Sequence, residues 1–177
     1  MTKVDMDPTQ FAEAIMSTLI DPGLLLVSLG REGRPNVMAI GWGLIGNLWG
    51  IPMFAAFVRP SRYTHYLMET TRDFTVNVPA KGMDEIVSTC GSLSGRRVDK
   101  FKETGLVTMP SRSVKSPIIR QCVAHLECSI LYQFPLEATR LPKEIKLRAY
   151  PRGDYHDIYF GQILESYADR DYKSKLP

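Results

Sequence analysis

No apolar run in this 177-residue sequence approaches the roughly 20 residues that a helix needs to cross a bilayer. No membrane association is therefore expected. The opening stretch MTKVDMDPTQFAEAI is acidic and polar, without the basic start and apolar core of a secretory signal. Cysteine is scarce: Cys90, Cys122 and Cys128 cannot all pair within one chain, which argues against a disulfide framework and for a reducing compartment. A cytoplasmic location is the expectation. The basic residues form no block and the formal charge is only +3, so no nucleic-acid partner is required, although a weak positive field favours small phosphorylated ligands.

Recognisable acid-base and metal machinery is also missing. No serine elbow is present, and His65, His125 and His156 lack an evident aspartate and nucleophile beside them. No catalytic side chain is assigned; a protein that only binds, orients and tunes a cofactor needs none. Cys122, His125 and Cys128 invite a metal reading by their spacing, but on an extended strand the two cysteines share one face, the histidine points to the other, and no fourth ligand is near. No metal is expected. The Gly-rich fingerprint and strand-helix alternation of a doubly wound dinucleotide fold are absent too.

What is present reads as short strands. Asp7-Pro8 is a cap followed by a first-turn proline, and Phe11, Ile15 and Leu19 recur at helical spacing, which predicts a short first helix. The runs 24–30 and 36–42 flank the turn REGRP as a hairpin, and 53–58, 74–78, 124–134 and 156–167 supply four more strands. About six strands, with helical or irregular segments at 82–90 and 90–101, predict a mainly β, antiparallel barrel with flanking helices. The charged segment from Pro135 to Asp154 reads as an exposed hairpin or loop, and the chain after Asp169 as a polar, solvated tail. Residues 1–177 are expected to form a single domain.

Three places could hold a ligand. In PSRYTHYLMETTRDFTVNVP, Pro60 ends a strand and Ser61 is a good N-cap, so a helix is expected to start at Arg62. Its free N–H groups, the hydroxyls of Ser61 and Thr64 and the Arg62 guanidinium suit a phosphate; an ordinary capped helix with a solvated arginine fits the same letters. In CGSLSGRRVDKF, Ser94, Gly95, Arg96, Arg97 and Lys100 offer backbone freedom and cations for a second anion grip, or merely a solvated basic turn. In NVMAIGW, period-two geometry puts Asn36, Met38, Ile40 and Trp42 on one face and Val37, Ala39 and Gly41 on the other. The small face admits either a planar ligand at the backbone or a covering helix.

Taken in order, NVMAIGW, RPSRYTHYLMETTRDFTVNVP, CGSLSGRRVDKF, AHLECSI and GDYHDIYFGQIL resemble the flavoredoxin group of the flavin reductase-like family, from about Leu24 to Tyr167. The resemblance implies an FMN-binding, Greek-key split barrel that forms a homodimer with a flavin near each subunit boundary. It implies that Ser61, Arg62 and Thr64 grip the phosphate with Lys100, and that Asn36 and Trp42 line the flavin pocket. The backbone from Met38 through Ala39 and Ile40 to Gly41 then faces the ring, and Ser94, Gly95 and Arg96 form a polar loop near it. His156 resembles the histidine of a late GDH-like segment, except that Tyr155 separates it from Asp154. Two functions follow from the resemblance: an FMN-containing electron carrier or oxidoreductase, or a flavin reductase using NADH or NADPH on exchangeable flavin. A small barrel binding single-stranded nucleic acid is a third reading, against which the lack of a basic stripe counts.

Overall fold

The computed structural model describes residues 3–30 and 32–177. Arg31, within the expected REGRP turn, and the first two residues of the opening stretch lie outside the described residues. Ten strands and five α-helices are formed among the described residues. The strands are β1 (Lys3–Asp5), β2 (Leu24–Leu29), β3 (Pro35–Ile40), β4 (Gly43–Leu48), β5 (Ile51–Val58), β6 (Asp73–Val78), β7 (Thr108–Met109), β8 (Ile118–Ile119), β9 (Ala124–Pro135) and β10 (Asp157–Asp169). The helices are α1 (Ala12–Ile20), α2 (Tyr63–Thr71), α3 (Asp84–Ser92), α4 (Lys100–Thr104) and α5 (Lys143–Ala149).

The large sheet is antiparallel in the order β3-β2-β6-β9-β10-β5-β4, with β1 added on β10, while β7 and β8 pair separately. From β5 the chain passes over β10 and β9 to reach β6, the Greek-key crossing. No ladder joins β3 to β4 among the described residues, so the sheet curls into a barrel that remains split along that seam. Its interior is filled from both halves: Leu24, Leu26 and Ile40 meet Phe54, Ala56, Val76, Leu126 and Tyr159 in one buried cluster. The expected barrel of about six strands is present, with β1, β4, β7 and β8 in addition.

The long β9–β10 pair carries the barrel's curvature. Its ladder shifts register between Phe160 and Gly161 and again between Ile163 and Glu165, as bulges do where a strand must bend. A side chain at Gly161 has no room: a Cβ would lie 2.7 Å from the Phe74 ring and 2.9 Å from Cys128 Cβ. On β6 the expected alternation ends in burial on both faces. Phe74, Val76 and Val78 enter the core, while Thr75 and Asn77 satisfy the Pro117 carbonyl, the Leu25 carbonyl, the Ile119 N–H and His125 Nδ1. Glu127, fully buried on β9, accepts from the N–H groups of Arg112 and Ser113 and from the Tyr167 hydroxyl, thereby pinning the loop before β8.

The expected first helix forms, but it opens as a 3-10 turn at Pro8–Phe11 capped by Asp7 and becomes α1 only from Ala12, where no side chain caps it. Asp7 Oδ1 accepts from Thr9 N at 2.8 Å, and Phe11, Ile15 and Leu19 are buried against the barrel. Two expectations are corrected. The segment 135–154 is not only loop, because α5 forms within it on strong helix formers with Glu144 in its first turn and Lys146 and Arg148 in its last. The chain after Asp169 is not a solvated tail: Tyr172 is buried edge-on against Phe11 with ring centroids 5.4 Å apart, and Lys175 pairs with Asp169 and Asp171. No helix among the described residues is long and apolar enough to cross a membrane.

Candidate anion-binding site

Two recesses open on β3 where the barrel is split. The first, about 140 Å³, is lined by Asn36, Met38 and Ala39 of β3, the turn and helix start from Ser61 to Thr64, the end of α3 from Cys90 to Gly95, and Lys100. The second, about 190 Å³, is lined by β3 and its exit from Met38 to Trp42, then Phe57, Arg59, Arg62 and His156. Met38, Ala39 and Arg62 line both, so they are adjoining parts of one site. No Asp or Glu lines either recess among the described residues.

The first recess is lined by two cations and no acid among the described residues. Lys100 is buried, and its Nζ donates to the Cys90 carbonyl at 2.8 Å. Burial lowers its pKa to about 8 against the partial relief given by Cys90, and the nearby Arg62 lowers it further. Arg62 Nη1 makes a long, 3.4 Å contact to the Gly91 carbonyl. Neither cation has a carboxylate partner among the described residues. A buried ammonium beside a guanidinium is unfavourable unless an anion joins them. The α4 turn that delivers Lys100 is capped by Asp99, whose Oδ1 accepts from Phe101 N and Lys102 N.

Asn36 ties the recess together. Its side-chain amide donates to Thr64 Oγ1 at 2.8 Å, leaving the Thr64 hydroxyl proton free to reach a ligand. Gly95 closes against the same amide: a Cβ there would stand 1.9 Å from Asn36 Oδ1 and 3.2 Å from the Tyr63 ring. Close approach, rather than the expected backbone freedom, is therefore what Gly95 supplies. Ser94 lines the recess and holds the turn after α3, its carbonyl accepting from Arg97 N and Val98 N.

The second recess is aromatic and neutral at its far wall. His156 is buried, its Nδ1 lies 2.8 Å from the Tyr150 hydroxyl, and burial beside Arg59 holds its pKa down to about 4. An uncharged imidazole thus meets Trp42 with ring centroids 4.7 Å apart. Arg59 sits over the Tyr150 ring at 5.0 Å and donates to the carbonyls of Ala149 and Asp154, anchoring the segment after α5 to the rim.

Of the expected site residues, Asn36, Met38, Ala39, Ser61, Arg62, Thr64, Ser94, Gly95 and Lys100 line the first recess, and Ile40, Gly41, Trp42 and His156 the second. Arg96 does not join them: it stacks on Tyr63 at 5.0 Å and lines an outer groove with Arg34, Arg97 and Lys102. The helix expected at Arg62 begins at Tyr63, and its N-cap is Arg62, not Ser61. Ser61 instead donates to Asp154, through its N–H to Oδ1 at 3.3 Å and its hydroxyl to Oδ2 at 2.5 Å. The small face of β3 is only partly covered by α3: Val37 packs in a cluster with Met83, Val87 and Cys90, and a Cβ at Gly91 would touch Ala39 at 3.3 Å, while Ala39 and Gly41 still border the recesses. Phe57 and Arg59 were not anticipated, although their two-residue spacing at the end of MFAAFVRP puts them on one strand face at the site.

Comparison with known proteins places this geometry. A family model described as a flavin reductase like domain matches residues 14–176. An uncharacterised protein of Archaeoglobus fulgidus is 32% identical over 139 residues, covering 78% of this chain and 68% of that one. Among solved structures, flavoredoxin from Methanosarcina acetivorans superposes with a TM-score of 0.67 at 28% identity, covering 88% of this chain and 74% of its own. A structure described as an FMN-binding domain of a flavin reductases-like enzyme from Shewanella baltica gives 0.66 at 18% identity, over 95% and 78% of the two chains.

Proposed function

The chain belongs to the flavin reductase-like domain family, and on that premise we propose that it binds FMN as a single-domain cytoplasmic flavoprotein serving as an electron carrier or oxidoreductase. The observation that carries the reading is the pair of cations, Arg62 and buried Lys100, facing a recess without an acid lining it. A terminal phosphate answers that donor set, with the hydroxyls of Thr64 and Ser94 beside it and that of Ser61 available once it leaves Asp154. The second recess, walled by Trp42, Phe57 and His156, then receives the ring. The cytoplasmic assignment is supported by three unpaired, buried cysteines.

Bound flavin supplies the redox chemistry by taking up and releasing electrons at its ring. The chain's residues hold, orient and neutralise. Lys100 and Arg62 fix one end of the ligand, and Arg59 adds positive charge near the other. His156, neutral at physiological pH, contributes a ring face rather than a proton. An NADH- or NADPH-dependent flavin reductase with exchangeable flavin is the second reading, favoured by the engagement of Ser61 with Asp154, which leaves the anion grip incomplete.

A homodimer belongs to the same proposal. Met16, Ile20, Trp42 and Leu44 line an apolar cleft of about 320 Å³ beside the second recess, and Ile20 is 84% exposed. A second copy covering that cleft would shield the ring end of the site. Gel filtration of protein loaded with FMN tests both parts in one run. Flavin absorbance is expected to elute with protein at about twice the 20.0 kDa chain mass. Colourless protein favours exchangeable flavin, the second reading, over retained FMN, and a flavin-loaded monomer contradicts the dimer.

A further inference from the structure

We propose that Asp154 is a built-in competitor for the phosphate, its carboxylate engaging the Ser61 donors and thereby weakening the hold on FMN; this rests on the FMN reading above. The Ser61 N–H and hydroxyl immediately precede Arg62, at the turn that leads into α2. Both are taken by one carboxylate from a turn 93 residues away. That turn is shaped to present it. Gly153 and Asp154 are both in the left-handed region, at φ +74° and +58°, a geometry that glycine, asparagine and aspartate tolerate best.

The carboxylate is not what holds the turn in place. Arg59 does that through main-chain carbonyls, with Nη1 to Gly153 O at 3.4 Å and Asp154 O at 2.9 Å and Nη2 to Ala149 O at 3.0 Å. The Asp154 side chain is exposed, and its hydrogen-bond partners among the described residues are both on Ser61. It can therefore leave without unseating α5 or His156. A phosphate that uses the Ser61 donors must displace the carboxylate or share them with it against like-charge repulsion. A ligand without the phosphate meets no such competition.

Asp154→Asn keeps an acceptor for Ser61 and the left-handed backbone while removing the charge, and Asp154→Gly removes the side chain at a φ that suits glycine. For wild type and both variants, FMN and riboflavin affinities are measured by fluorescence titration of the apoprotein, with the FMN dissociation rate followed by dilution. Asp154→Gly is expected to bind FMN about tenfold more tightly, chiefly through slower dissociation, on the scale of one charge-assisted bond; riboflavin affinity stays within about twofold. Asp154→Asn is expected to fall between Asp154→Gly and wild type. Unchanged FMN affinity in both variants overturns the proposal, as does a parallel loss for FMN and riboflavin, which would make Asp154 an organiser of the pocket. If wild type binds FMN no more tightly than riboflavin, the phosphate reading itself fails and the competitor fails with it. That result is recognisable in the wild type alone.

Discussion

Replacing Lys100 by Met is expected to lower FMN affinity about ten- to a hundredfold while leaving the apoprotein at least as stable as wild type. The first half follows from the value of a charge-assisted bond to phosphate, about 1.5–3 kcal/mol. The second half follows from burial without a counter-charge: Lys100 is 5% exposed, donates to one carbonyl and lies near Arg62. Methionine keeps the stem's packing and removes the desolvated charge. A residue that costs stability and supports binding is what a binding site predicts and an ordinary structural lysine does not. Arg62→Ala, at an exposed position, is expected to weaken FMN by a similar factor with little change in stability. In both variants the rate of flavin reduction at saturating FMN should hold, because neither residue is assigned to the reacting ring. An unchanged affinity with a collapsed saturated rate would move the residue from the phosphate to the ring.

The same lysine gives the site a pH signature. Its pKa in the apoprotein lies at about 8, below the usual value of 10.5, because burial and Arg62 disfavour the charge. Only the charged form can make a charge-assisted bond to phosphate, so FMN affinity is expected to be highest below about pH 8 and to fall as the lysine deprotonates above it. Apoprotein stability runs the other way. The unfolded chain holds the proton through a window where the folded chain has lost it, so Lys100 contributes stability that rises from about pH 8 towards 10.5. Lys100→Met should lose that component of the affinity profile and that component of the stability rise.

Gly95→Ala is expected to disable the site from the opposite side. The added methyl would fall 1.9 Å from Asn36 Oδ1 and 2.9 Å from its Cγ, and Asn36 is buried and bonded to Thr64. The amide cannot move without breaking that bond, so the turn after α3 must lift from β3. Overpacking of this kind costs about 1–3 kcal/mol. FMN affinity should drop about tenfold or more as Ser94 and Lys100 separate from Arg62, at a cost equivalent to losing one charge-assisted contact. Wild-type affinity in this variant, with an unchanged melting temperature, would show that the turn does not close on the ligand.

The strands legible in the sequence were those whose pattern is local. Phe74, Val76 and Val78 alternate with polar neighbours, and MFAAFV and AHLECSILYQF are apolar runs bounded by turns. β4 was hidden because GLIGNL carries glycines where strands prefer bulk; Gly43 is required there because a Cβ would meet the Phe54 ring at 2.8 Å. β1 owes its pairing to Asp169, Ala168 and Tyr167, a partner that no local window contains. α5 has no buried residue and hence no apolar stripe to announce it. In the site, residue types alone fitted a solvated arginine and a solvated basic turn as well as an anion grip, and only the family resemblance joined Arg62 to Lys100. The capture of Ser61 by Asp154 could not be inferred, since it joins two turns far apart in the chain, nor could the close approach that requires Gly95, because Asn36 lies far from it in the chain.

If Arg62 and Lys100 hold a phosphate, a titration of wild-type apoprotein with FMN and riboflavin under identical conditions near pH 7 will separate the two ligands. The two ligands share the ring and differ in that phosphate. Two charge-assisted grips predict FMN affinity at least about a hundredfold above that of riboflavin. Equal affinity for the two would contradict the account.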